Sequence, residues 1–193
     1  MGNKTTLKTL KEQNRGFSFS VEDYILYILN NLEPDKSDKV KLNKVAFFAE
    51  FAYLYFKHQP LSNAKYAAID NGPVIDGYNK ILEQMSGSGK VIIDGYKVRP
   101  LVSSEGKIPD EVKSFIDPLI KQYSVFSNDE LKALSHQTDS YLITTDNEKI
   151  MGKIIDKDLA SLETFFEGNG NEDPELSEFP KINEENLIKY EPR

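Results

Sequence analysis

The stretch from Val40 to Phe56 is apolar on nearly every face of the helix that its spacing predicts. One face carries Leu42, Val45, Ala46, Ala49, Ala52, Tyr53 and Phe56, and the other carries Phe47, Phe48, Phe51, Leu54 and Tyr55. A helix that is apolar all round is buried, inside a protein or in a membrane. This one is shorter than the roughly 20 residues of a membrane span, and lysines flank it. We therefore predict the central helix of a globular domain, capped by Ser37 or Asp38.

The rest of the chain predicts a predominantly α-helical α+β domain with one small β-hairpin. Ser20 begins a helix that ends before Pro34, and Ser127 with Glu130 forms a capping box. Asp94-Gly95 between β-forming residues predicts the hairpin over 91–98. Further helices are expected over 73–85, 109–123, 127–137 and 156–166, while 65–69 fits a strand or a helix and 138–150 has the composition of turns.

Charge and composition divide the chain into three parts. Residues 1–19 are predicted to be a flexible basic arm with a net charge of +3. Residues 20–167 form the helical domain. Residues 168–193 carry seven acidic side chains against three basic ones and three prolines, which predicts an acidic tail or an extended strap.

The composition excludes several kinds of chemistry and binding. The chain has 193 residues and no cysteine, so disulfides, thiolate metal sites and a cysteine nucleophile are excluded. Its net charge of −7 and its three arginines disfavour generic binding to nucleic acid. No apolar run is long enough for a membrane span and no secretory signal is present, so we expect a cytoplasmic protein with no membrane partner.

No catalytic constellation is evident, and we expect neither enzymatic activity nor a cofactor. The two histidines, His58 and His136, stand in no metal-binding pattern, and no Gly-x-Ser-x-Gly elbow is present. His136 lies near a predicted helix C-terminus, where capping or contact with a partner is favoured over catalysis. Carboxylates at Asp70, Asp76 and Glu83 are more typical of a solvated helix face than of a paired acid mechanism.

Three short segments resemble one family of domains. They are Lys41-Leu42-Asn43-Lys44 with Phe47-Phe48, then Asn71-Gly72-Pro73-Val74 with Tyr78, then Leu134-Ser135-His136. In this order they are similar to the Panacea domain, also called the SocA-like domain. Its members combine a Lys-Leu-x-Lys-like helix start, a Tyr-Gly-Pro-Val-like turn and a Leu-Ser/Thr-His element. The resemblance extends over about residues 20–166.

The chain also departs from the family pattern. Asn71 stands where the family usually has an aromatic residue. The family's last element is usually followed by a Pro-Trp pair, but this chain has no tryptophan, and Ser140-Tyr141 is the nearest substitute.

The resemblance implies an antitoxin that holds a protein toxin inactive by direct contact, encoded beside it in bacteria or phages. One branch of the family acts instead as a proteolytic adaptor, so an ATP-dependent protease is a second implied partner, and an oligomer is compatible with the sequence. We predict that the toxin contacts a set of residues in the three motifs: Lys44, Asn71, Gly72, Pro73, Tyr78 and His136.

Two other classes of function stay open. A nucleic-acid-binding transcriptional regulator would use the hairpin as a wing and the basic arm as an anchor, and retention on DNA at physiological salt would favour it. An enzyme is the third alternative, which a bound metal or an anion held by convergent polar groups would favour.

Overall fold

The computed structural model of the protein describes residues 17–104 and 108–167. Most of the predicted basic arm and the whole predicted tail, 168–193, lie outside these ranges. The end of the arm is described: the rings of Phe17 and Phe19 meet edge to face with their centroids 4.8 Å apart, and Phe19 is buried. Both phenylalanines therefore pack with the core of the described domain.

The described elements form an α+β domain in which helices predominate, as predicted. In chain order they are α1 (Val21–Asn31), α2 (Lys39–Lys57), β1 (Tyr66–Ile69), β2 (Gly72–Ile75), α3 (Tyr78–Gly87), β3 (Val91–Asp94), β4 (Lys97–Pro100), α4 (Asp110–Ser124), α5 (Asn128–Ser135), α6 (Asp139–Thr144), β5 (Lys153–Ile155) and a 3-10 helix (Lys157–Leu162). The predicted helices around residues 21, 40, 110 and 128 are confirmed, and so is the hairpin formed by β3 and β4.

Helix α2 is the centre of the domain. The Asp38 side chain caps it by accepting hydrogen bonds from two amides of the first turn, both at 2.9 Å. Every residue from 41 to 53 is buried. The ring of Phe48 stacks on that of Tyr123 in α4, with the centroids 4.3 Å apart. The prediction of an enclosed central helix is therefore confirmed.

A three-stranded antiparallel sheet corrects the expectation of a single helix over residues 73–85. Strand β1 lies between β2 and β5, so that Ala67 faces Val74 on one side and Ile154 on the other. Residues 72–75 pair with β1, and α3 begins only at Tyr78, after Gly77 with φ +69°. The prediction was wrong because the turn at Asn71 reverses the chain into a second hairpin.

The region after α5 also differs from the prediction. Residues 138–150, expected to be turns, contain α6. The helix expected over 156–166 is a 3-10 helix over Lys157–Leu162, directly after β5. Two distant carboxylates account for the difference. Glu163 accepts hydrogen bonds from the first amides of α6, at 3.0 and 2.9 Å, and Asp139 accepts from the amide and hydroxyl of residue 164. Each segment therefore caps the other across 24 residues of chain.

Candidate functional site

Residues from the three sequence motifs meet where α2, β2 and the end of α5 come together. A Cβ atom built on Gly72 would lie 2.4 Å from Ser135 Oγ, 2.5 Å from Lys44 Nζ and 3.2 Å from His136 Cδ2. We call these four residues the motif cluster. Three segments of the sequence, the last of which follows Gly72 by more than 60 positions, thus share a single point of contact.

Gly72 is the backbone element of the motif cluster. Its φ of +81° lies in the left-handed region, which residues with a side chain rarely adopt. Any side chain there would also overlap the serine hydroxyl and the lysine ammonium. Both constraints require glycine at this position.

Lys44 is almost completely enclosed, with 1% of its surface exposed. Its ammonium group donates to the carbonyl oxygen of Pro73 at 3.0 Å. Burial lowers the pKa of Lys44 to about 7, and the positive charge of Lys132 adds to the effect. The lysine therefore changes its protonation near neutral pH while fixing α2 to β2.

Asn43 makes a second connection between α2 and β2, which the sequence analysis did not identify. Its Oδ1 accepts the Ile75 amide hydrogen at 2.7 Å, while its Nδ2 donates to the Lys39 carbonyl within the helix. Together with Lys44 it satisfies backbone groups on the outer edge of the sheet. An unpaired strand edge is thereby closed by side chains.

His136 occupies the C-cap position of α5 and is buried. Its Nδ1 lies 2.5 Å from Oε1 of Glu148, and its ring centroid lies 4.7 Å from that of Tyr141. Burial lowers the pKa of His136, and the carboxylate of Glu148 opposes this effect. A neutral ring at pH 7 would carry its hydrogen on Nδ1 and donate it to the carboxylate.

Glu148 reaches His136 from a strained turn. Asp146, Asn147 and Glu148 have φ values of +48°, +52° and +67°, three successive left-handed residues none of which is glycine. The Glu148 amide donates to Thr145 Oγ1 at 3.0 Å, and the Asn147 amide donates to a carbonyl of α6. These bonds hold the turn against the motif cluster.

Tyr141, in α6, packs beside His136. It is fully buried, and its hydroxyl donates to the Ile69 carbonyl at 2.8 Å. The aromatic ring beside His136 is thus supplied by tyrosine, which also ties α6 to β1.

The remaining predicted contact residues lie at different places. Asn71 is exposed at the tip of the β1–β2 hairpin, where its Oδ1 accepts from Lys132 Nζ at 2.9 Å. Pro73 is buried beneath Lys44. Tyr78 is half-buried at the start of α3 and packs against the hydrophobic core. The structure therefore brings Lys44, Gly72, Pro73 and His136 together, with Asn71 beside them, and places Tyr78 on a separate element.

All four residues of the motif cluster are buried. Ser135 is fully buried, and its hydroxyl donates to the Lys132 carbonyl at 2.8 Å.

Within residues 17–104 and 108–167 no group of three or more histidine or acidic side chains is placed to hold a metal ion. In the same ranges no helix has both the length and the apolar character needed to cross a membrane.

The family described as Antitoxin SocA-like, Panacea domain, matches residues 42–141, which is more than half of the chain. The matched segment begins in α2, contains the whole motif cluster and ends at Tyr141. The chain belongs to this family, and the resemblance seen in the three motifs is confirmed. No curated protein and no solved structure matches the chain.

Proposed function

We propose that this protein neutralises a protein toxin by binding it directly. Membership of the antitoxin-like family over residues 42–141 is the observation that carries the proposal. The enclosed motif cluster supports action by binding rather than by catalysis, because its one hydroxyl nucleophile, Ser135, is fully buried.

The positions of the predicted contact residues suggest how each would contribute to toxin binding. Lys44, Gly72 and His136 are buried, so they would act by fixing the shape of the surface above them. The exposed groups that they hold are Asn71, which is bonded to Lys132, and Glu148, which is bonded to His136. We call the exposed Asn71 and Glu148, with the half-buried Lys132, the cluster surface, and we propose that part of the toxin contact lies there. Tyr78 would contribute from α3 as a separate contact.

The proteolytic-adaptor role stays a prediction of the family resemblance. It would require a second surface for an ATP-dependent protease while the toxin remains bound. Pull-down of such a protease with the complex, but not with the free chain, would support it.

The β3–β4 hairpin supports nucleic-acid binding less well than the family match supports toxin binding. A wing contacts phosphates with free basic side chains. The tip of the hairpin here carries Asp94, and the ammonium group of Lys97 donates to the Asp35 carbonyl of the same molecule. Chromatography on immobilised DNA at physiological salt tests this alternative. Retention of the full chain on the column would favour nucleic-acid binding.

The proposed function is tested by co-expression with the product of the neighbouring reading frame, provided that this product arrests growth when expressed alone. The parent chain should restore growth. Lys44→Ala, Tyr78→Ala and His136→Ala variants, first checked for normal folding, should fail to restore growth in at least one case. If all three neutralise as well as the parent does, the contact lies elsewhere on the protein. If the parent itself does not restore growth, the proposed function is wrong.

A further inference from the structure

The tip of the β1–β2 hairpin contains an asparagine followed by a glycine. Asp70 and Asn71 form the turn, Asn71 is exposed, and Gly72 begins β2 opposite Ile69. Asparagine before glycine loses its side-chain amide more readily than other asparagines, because glycine has no Cβ to hinder attack by its own backbone nitrogen. The hairpin tip therefore carries a group that can change covalently without an enzyme.

The fold requires the glycine of this pair. The φ of Gly72 is +81°, and a Cβ on it would overlap the Ser135 hydroxyl and the Lys44 ammonium. Any asparagine at position 71 thus precedes a glycine that cannot be exchanged. Only the residue at position 71 can vary without cost to the motif cluster.

A lysine of α5 contacts the reacting amide. The Lys132 ammonium group donates to Asn71 Oδ1 at 2.9 Å. This oxygen becomes an oxyanion when the backbone nitrogen of Gly72 attacks Asn71 Cγ. A positively charged donor at that position stabilises the charge that develops. The structure thus places an assisting group on the asparagine.

The reaction needs the tip of the hairpin to open, since Gly72 pairs with Ile69. This pair is the last one of the β1–β2 ladder. Local opening at the end of an element costs far less than global unfolding. The next residue, Pro73, is held through its carbonyl by Lys44 at 3.0 Å, so the opening is confined to the tip.

We propose that Asn71 is a site of spontaneous deamidation in the folded protein, assisted by Lys132. The Gly72 nitrogen gives its proton to solvent and forms a bond to Asn71 Cγ. The bond from Cγ to Nδ2 breaks, ammonia leaves and a succinimide ring remains. Water then opens the ring at Cγ to give aspartate, or at the main-chain carbonyl to give isoaspartate. The reaction consumes only water and requires no toxin, so it is independent of the proposed function.

The two products should affect the motif cluster differently. Aspartate at position 71 adds a negative charge beside Lys132 and leaves the backbone unchanged. Isoaspartate adds a carbon atom to the main chain directly before Gly72, whose place between Ser135 and Lys44 is fixed. We therefore expect the isoaspartate form to melt at a lower temperature than the aspartate form. Both products change the charge of the cluster surface.

The test follows the mass of residue 71 in the full chain. Folded protein and protein unfolded in guanidinium chloride are incubated at the same pH, slightly above neutrality. Tryptic peptides 66–80 and 158–181 are then fragmented in a mass spectrometer to locate each conversion of an amide to an acid. An unincubated sample corrects for conversion during digestion.

The folded chain should convert at Asn71 at no less than about a hundredth of the unfolded rate, as expected for local opening of the tip. Conversion that required global unfolding would be slower by about a thousandfold or more. A folded rate below a hundredth of the unfolded rate, about the limit for local opening, therefore overturns the inference.

Variants at position 132 test the assistance by the lysine. Lys132→Met should slow conversion at Asn71 by about two- to tenfold, the worth of one hydrogen bond. Lys132→Arg keeps a charged donor and should retain most of the rate. Asn169 precedes Gly170 and is the control within the same chain, since its rate should be the same in both variants as in the parent. Equal or faster conversion at Asn71 in Lys132→Met would overturn the assistance.

Variants at position 71 test the products. Asn71→Gln keeps an amide but would have to close a larger ring, so its peptide should keep its mass. Asn71→Asp is the reference for the product with an unchanged backbone. Incubated parent protein in which enzymatic methylation detects isoaspartate should melt below Asn71→Asp. Equal melting temperatures would overturn the predicted effect of isoaspartate on the motif cluster.

Discussion

The Lys44 ammonium group lies 2.5 Å from the position that a Cβ on Gly72 would occupy. The lysine belongs to the central helix, and the glycine begins a strand that pairs with β1. The missing side chain therefore lets a buried cation reach the Pro73 carbonyl and join helix to sheet. The same arrangement makes the site sensitive to mutation at position 72 and to pH.

Gly72→Ala should lower the free energy of unfolding by about 2–5 kcal/mol. Left-handed backbone costs about 1–2 kcal/mol for a residue with a Cβ, and the overlap with Ser135 and Lys44 adds about 1–3 kcal/mol. Gly77→Ala is the matched control, because Gly77 has φ +69° and no atom within 4 Å of its Cβ position. Urea denaturation should show a loss of only about 1–2 kcal/mol for the control. Equal losses in the two variants would mean that Gly72 is not sterically enclosed.

The stability of the protein should rise with pH above neutrality because of Lys44. Burial lowers the pKa of Lys44 to about 7 in the folded state, whereas the unfolded lysine keeps its proton up to a pKa of 10.5. Between these values the unfolded state binds more protons, so the free energy of unfolding increases with pH, by at most about 1.4 kcal/mol per pH unit. Below pH 7 both states are protonated and Lys44 contributes no slope.

Lys44→Met isolates this effect from the other titrating groups. Urea denaturation of the parent and of the variant at intervals from pH 7 to 9.5 should give a difference that grows with pH in favour of the parent. Parallel curves would show that the folded lysine keeps its ordinary pKa.

Phe48→Ala should cost about 3–5 kcal/mol of stability, because the Phe48 ring is fully buried and stacked on Tyr123. Phe51→Ala should behave alike, since Phe51 is also fully buried. Val40→Ala, on the same helix but partly exposed, should change stability by less than about 0.5 kcal/mol. Thermal unfolding of the three variants measures this directly. Unchanged melting temperatures for both phenylalanine variants would show that α2 is not the core.

Removal of residues 169–193 should leave the fold intact. The described residues up to Glu167 contain the core, including the buried Phe166 beside Tyr55. A chain that ends at Gly168 should therefore unfold cooperatively, close to the melting temperature of the full chain. Aggregation or loss of cooperativity would assign the acidic tail a structural role.

Local signals explain which elements the sequence predicts. Helices α1, α2 and α5 have Ser20, Asp38 and Ser127 as their N-caps. The side chain of each cap accepts a hydrogen bond from an amide within three residues. Such contacts are visible in a short stretch of sequence. The β3–β4 hairpin is likewise specified by its own Asp-Gly turn.

The missed elements depend on distant partners. Strand β1 is defined by pairing with Val74 and Ile154, and α6 begins where Glu163 accepts its first amide hydrogens. The motif cluster likewise depends on contacts between distant parts of the chain. The motifs indicated Lys44, Gly72 and His136 singly, but no periodicity in the chain shows that they touch. Asn43 and Glu148 were missed because their roles arise only from the folded geometry.

A direct binding measurement is the closest test of the proposal that the protein neutralises a toxin by contact. The purified chain would be titrated by calorimetry with the purified product of the neighbouring reading frame, once that product has been shown to arrest growth. Neutralisation by direct contact should give a saturable complex with a Kd of about 1 μM or tighter at physiological salt. Restoration of growth in cells without any complex in the calorimeter, at concentrations well above that value, would contradict neutralisation by direct contact.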